Sequence, residues 1–292
     1  LSKQKQINFY PMKKLIILGA FAVSLVALNA CKKDKEEYDN SSAPKSNAII
    51  ENAYDEMTNM SDQAINGDMV FYNSPKVTVV YASKDTPLLE KEACNVVITL
   101  DTTSATRSIT IDWGATNCDC NDGKQRRGKI ITTFTGKYRD SGTVITHTPV
   151  DYYVNDNKIS GIKTVTNMGT NSNGQPFFNI AINGSVTMAD GDVFTYSSNR
   201  VRTWVAGYNT LLTFIDDEYD ITGSATASST NGNGYTANIT SALNIKVGCG
   251  YIRKGTVEIT PTGKAMRTID YGTGTCDATF TITVNGNTYT VN

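Results

Sequence analysis

Six cysteines and a single histidine are the residues of this 292-residue chain best suited to metal, redox or nucleophilic chemistry. Two of them, Cys118 and Cys120, stand one residue apart in IDWGATNCDC, residues 111–120, after an apolar, strand-like run. Such a pair fits a metal clip, a redox couple, or halves of structural disulfides. A structural metal needs three or four converging ligands, whereas His147 is the only histidine and no second clip follows. A strained Cys118–Cys120 redox bond needs a neighbouring base to activate a thiol, and the sequence places none nearby. Disulfide chemistry is therefore the expectation, provided the chain is exported to an oxidising compartment.

The segment around Cys31 speaks to export. In MKKLIILGAFAVSLVALNAC, Lys13 and Lys14 precede a 14-residue apolar run, Leu15–Leu28, and the segment closes on Leu28-Asn29-Ala30-Cys31. A charged start, a short apolar core and small residues before the cut form a secretory signal. The apolar run falls short of the roughly 20 residues that span a bilayer. The closing tetrapeptide resembles the bacterial lipobox, which implies acylation of Cys31 and anchoring without spanning. Residues 1–30 are thus expected to be an upstream extension plus signal peptide, with Met12 the better start. Residues 31–46, CKKDKEEYDNSSAPKS, lack core-forming runs and suit a flexible tether. Within them Lys35-Glu36-Glu37 resembles the lysine-plus-acidic-pair signal for the outer face of the outer membrane.

With Cys31 acylated, five cysteines remain, and their setting repeats. Asp112 in RSITIDWG lies six residues before Cys118, and Asp270 in RTIDYG lies six before Cys276. Cys94 precedes Cys118 by 24 residues and Cys249 precedes Cys276 by 27. The chain is read as containing a duplicated strand–hairpin–strand unit, about 94–118 and 249–276. Ile111 and Trp113 match Ile269 and Tyr271 on its inward face, and both aspartates point the other way. The repeat suggests the disulfides Cys94–Cys118 and Cys249–Cys276, with Cys120 as the spare thiol. Cys94–Cys120 is the rival pairing, and sequence leaves the choice open.

The elements that must position these residues follow from periodicity. In SNAIIENAYDEMTNMSDQAING, residues 46–67, Ile50, Ala53, Met57, Met60 and Ala64 recur at helical spacing, with Ser46 or Asn47 as cap and Gly67 as stop. One short amphipathic helix is therefore expected over 47–67. From residue 68 to 292 alternation takes over, as in Ile239, Ser241, Leu243, Ile245, Val247 and in Ala278, Phe280, Ile282, Val284. RDSG, VNDN, NSNG, ADGD, NGNG and VNGN punctuate the runs. The expected fold is a single all-β domain, an antiparallel meander of roughly a dozen strands closed as a sandwich or flattened barrel.

Other candidate sites are thinner. His147 in VITHTPV is a possible general base, though a strand histidine is more often packed or exposed. Asp216, Asp217, Glu218 and Asp220 form a weak calcium candidate through hard oxygens, against an acidic hairpin turn. Phe194, Tyr196, Arg200, Arg202 and Trp204 share parity along one strand; rings beside arginines could stack on sugars, or could fill an inner face with paired arginines. Asp101-Thr102-Thr103 resembles a short O-glycosylation acceptor. Removing the four lysines of residues 1–30, which hold no acidic residue, leaves 23 basic against 28 acidic residues, a net charge of −5. That balance offers no basic surplus for nucleic acid. No nucleophile elbow, zinc-protease helix or phosphate loop is present, so no catalytic residue and no cofactor is expected.

Four blocks, IDWGATNCDCNDGKQRRGKI, RVRTWVAGYNT, DDEYDITG and MRTIDYGTGTCD, resemble an uncharacterised family of Bacteroidota outer-membrane lipoproteins across nearly all of the mature chain. The resemblance implies a surface location and a single β domain, and it assigns no activity. The expectation is a lipid-anchored, non-catalytic binding module for a glycan or another envelope component. A structural or adhesion lipoprotein with a protein partner is the alternative, and an enzyme comes third.

Overall fold

In a computed structural model the chain is described over residues 42–66, 77–81, 96–101, 106–120, 123–210 and 215–291. Cys31, Lys35-Glu36-Glu37, Cys94 and Thr102-Thr103 lie outside these residues. Helix α1, Ser42–Asn66, comes first. It is followed by β1 (Val77–Tyr81), β2 (Val96–Asp101), β3 (Arg107–Asp112), β4 (Cys118–Asp119), β5 (Gln125–Phe134), β6 (Val144–Val154), β7 (Asn157–Thr170) and β8 (Pro176–Thr187). The remaining strands are β9 (Val193–Ala206), β10 (Glu218–Ser229), β11 (Tyr235–Lys246), β12 (Lys254–Pro261), β13 (Arg267–Thr273), β14 (Phe280–Val284) and β15 (Asn287–Val291).

Each strand pairs antiparallel with the next in one continuous path, and only the two-residue β4 stands aside, pairing with β5. The turn chemistry explains this meander. Asn155-Asp156 and Asn285-Gly286 all have positive φ and join directly paired residues, Val154 to Asn157 and Val284 to Asn287. Two such residues in a two-residue loop match the right-handed twist of the flanking strands. The architecture is a single open sheet. Among the described residues the order runs from edge to edge without switching to a second sheet, so the expected sandwich or closed barrel does not form there. Register shifts between β5 and β6, β6 and β7, and along β9 to β13 bend it instead.

The helix begins at Ser42 rather than near residue 47. Pro44 suits the first turn, where its missing N–H costs nothing, so Ser46 and Asn47 fall inside the helix and are buried. Ile50, Ala53, Met57 and Met60 form the apolar stripe, and Tyr54 joins them. Tyr54 needs unusual room. Its hydroxyl donates to the Ser160 carbonyl at 2.6 Å, and a Cβ on Gly184 would stand 2.1 Å from that hydroxyl. Only glycine lets the ring settle onto the sheet there. One inward face is buried from β2 through β15, with Ile98, Ile111, Ile130, Tyr196, Ile259 and Ile282 in one core.

Candidate functional site

The inward face under the helix is polar as well as apolar. Glu51 accepts from the Tyr196 hydroxyl and, at 2.8 Å, from Arg200. Asp55 pairs with Lys163 at 2.8 Å, and Glu56 pairs with Arg126 at 2.8 Å and with Lys124. Arg126, Lys163 and Arg200 are buried, and burying a charge is tolerable only with such partners. His147 completes this layer: Nε2 lies 3.2 Å from the Thr58 hydroxyl, and Nδ1 2.9 Å from that of Thr132. Ser61 lies 2.7 Å from Thr132. The histidine thus ties helix to sheet and is sealed from solvent, so it is no general base.

The aromatic–arginine strand belongs to the same interior. Phe194, Tyr196, Arg200 and Trp204 are all buried, because their parity on β9 is the inward one. Arg202 is ringed by Phe178, Tyr219 and Tyr138 at 5.2, 5.3 and 5.9 Å. No ring is left to stack on a sugar, which corrects that reading of these five residues. The acidic group also disperses. Asp216 accepts from Thr210, Glu218 pairs with Lys246 and Arg253 at 2.8 and 2.9 Å, and Asp220 accepts from Asn244 at 2.7 Å. Asp217 is buried beside Tyr219. Asp217 precedes β10, and Asp216, Glu218 and Asp220 each face a separate protein partner, so the four do not converge on a cation. Among the described residues no group of three or more His, Cys, Asp or Glu is placed to hold a metal.

The cysteines sort differently. Cys249 and Cys276 form a disulfide with Cα atoms 5.8 Å apart, closing the open end of the β12–β13 hairpin. Cys118 is disulfide-bonded, while Cys120 is a buried thiol whose sulfur lies 3.6 Å from the Cys118 carbonyl. This arrangement excludes the pairing in which Cys118 is the spare. The repeated aspartates share a job, and Asp112 also pairs with Lys129 at 3.3 Å. Asp112 accepts from the Gly114 N–H at 2.9 Å and Asp270 from the Gly272 N–H at 2.8 Å. Each is an Asx turn on the way to the cysteine, with the glycine at φ near +80°; Asp112 closes β3, whereas Asp270 lies inside β13.

Among the described residues a surface open to a ligand lies on the other side of the sheet. A groove of about 610 Å³ opens on the outward face of β9 to β12, lined by Thr195, Ser197, Thr226, Ser228, Thr236 and Thr260. The turn Pro261–Lys264 walls one end. Its size falls within the roughly 300–1,000 Å³ of small-ligand sites. All six hydroxyl residues are exposed, and the groove carries one charged side chain, Lys264. Sequence reading had picked out β9 for the wrong parity. The signal for the right one, hydroxyls at alternate positions of β9 and β10, becomes meaningful only once register aligns the strands. No protein-family model, curated protein or solved structure matches the chain.

Proposed function

We propose that this protein is a lipid-anchored, surface-exposed outer-membrane lipoprotein of the Bacteroidota type its sequence blocks resemble, and that it works as a non-catalytic glycan-binding module. The anchor reading rests on the run from Lys13 to Cys31, and the surface reading on Lys35-Glu36-Glu37. The observation that carries the binding reading is the division of labour between the two faces. On the inward side Arg200 and His147 hold helix to sheet and Arg202 and Trp204 pack in an aromatic cluster of the sheet, whereas the outward groove offers hydroxyls to solvent. Hydroxyls both donate and accept, which suits sugars and supplies no nucleophile-activating base.

Two measurements test this. Cys31→Ala is expected to abolish palmitate labelling and release the protein from membranes; labelling that persists would end the anchor reading. The acylated protein is expected to retain glycans on an array, and a protein that captures none across neutral and acidic panels is not such a module.

A further inference from the structure

We infer that the outward groove is one part of a longer site that takes a neutral polysaccharide chain laid across the strands. The inference rests on the glycan reading above and specifies its ligand. Register supplies the first support. Asn183 opposes Ser197, Ser197 opposes Thr226, Thr226 opposes Thr236 and Thr236 opposes Thr260. The five residues therefore form one straight row over β8 to β12, about 19 Å long at the usual spacing between strands. All five are exposed. A second row, Ser185, Thr195 and Ser228, runs beside it on β8 to β10. The row extends beyond the groove, since Asn183 is not part of its lining. A single sugar would leave much of it unused.

The second support is what these side chains do not do. Elsewhere on the sheet hydroxyls serve the fold: Thr283 bonds Thr288 at 2.8 Å, and Ser229 and Thr230 bond Asp192 at 2.6 and 3.1 Å. Among the described residues the side chains of Ser197, Thr226, Thr236 and Thr260 bond to no other protein group. Threonine favours strands for its shape alone, so its presence proves little. The charge pattern says more. Outward positions of β5 to β7 carry Arg127, Lys129, Asp151 and Lys158, whereas the β8–β11 part of the row carries none. A row with no charge of its own, flanked only by Lys264 at the groove's end and Glu258 on β12, gives little steering to polyanions or polycations. It matches a ligand that is itself uncharged and covered in hydroxyls. Each contact is weak in water, so binding must accumulate along the chain.

Titration of the full protein with neutral gluco-, xylo- and manno-oligosaccharides, from disaccharide to hexasaccharide, tests the inference. At least one series should gain tenfold or more in affinity with length. The double variant Thr226→Val, Thr236→Val should lose at least tenfold while unfolding at an unchanged temperature, because valine keeps the shape and strand preference of threonine. Equal affinity for short and long chains, or full binding by the double variant, would overturn the row as the site while leaving the glycan module intact. A preference for polygalacturonate over every neutral series would overturn the neutral ligand. Retention of no glycan at all would bring down both readings together.

Discussion

The fold strongly resists protonation of His147. Burial, and then the nearby charge of Lys163, hold its pKa at about 3. In the unfolded chain the ring binds its proton near pH 6.5. Between those values the unfolded state holds more protons, so stability falls as pH falls and is restored above about pH 6.5. At its steepest the loss is about 1.4 kcal/mol per pH unit. Urea midpoints from pH 7 to pH 4 should show this slope in the wild type, and His147→Gln, though less stable at pH 7, should lack that component. Equal slopes would show that the ring titrates normally. The importance of His147 was hidden in the sequence because its partners Thr58, Ser61 and Thr132 sit on segments far from it and are chemically ordinary. The paired aspartates were the opposite case. Their spacing made the duplication legible, but their role as turn caps needed the backbone.

At the scale of elements, α1 is held by side chains alone, and its acidic residues decide how firmly. Glu51→Ala would leave Arg200, 6 % exposed, without its carboxylate, a change expected to cost about 3–5 kcal/mol. Asp151→Ala breaks a pair whose carboxylate is 79 % exposed, and such surface pairs contribute little in water. Chemical denaturation of the two variants should separate them by severalfold; similar losses would mean that Glu51 does not secure the helix. The apolar stripe Ile50, Ala53, Met57, Met60 was readable from period alone. Glu51 and Asp55, four residues apart beside that stripe, could have hinted at a polar seam, but nothing in the helix names Arg200 or Lys163 as partners. The same limit applies to β9. Alternation separated its two sets of side chains correctly, and only contact with α1 shows which set is inside.

For the molecule as a whole, the turns made the meander legible while its closure was not. Asn-Gly and Asn-Asp loops specify which strands are neighbours, but bending depends on bulges such as those between β10 and β11, which leave little trace in composition. The staple across β12 and β13 bears on this open sheet directly, since no closed barrel holds its far strands in place. Removing the Cys249–Cys276 link, which spans 27 residues, should cost about 3–4 kcal/mol. Cys249→Ser and Cys276→Ser should match, because either breaks the same bond, and Cys120→Ser should cost far less. A non-reducing peptide map should show Cys249 joined to Cys276 and Cys120 alkylated only after denaturation. A Cys120 disulfide would contradict the arrangement.

The position of α1 carries a mechanical consequence. Under the proposed anchoring at Cys31 and the proposed capture of a polymer, a pull between the two would enter the described fold at Ser42. The first thing it strains is a helix gripped by side chains, whereas the strands behind it are joined by continuous backbone ladders. The helix therefore yields before the sheet. Its 25 residues span about 38 Å as a helix and about 80–90 Å drawn straight, so unwinding would add about 45–50 Å of reach, and the protein would behave as a fuse that lengthens under drag while the outward face keeps its grip.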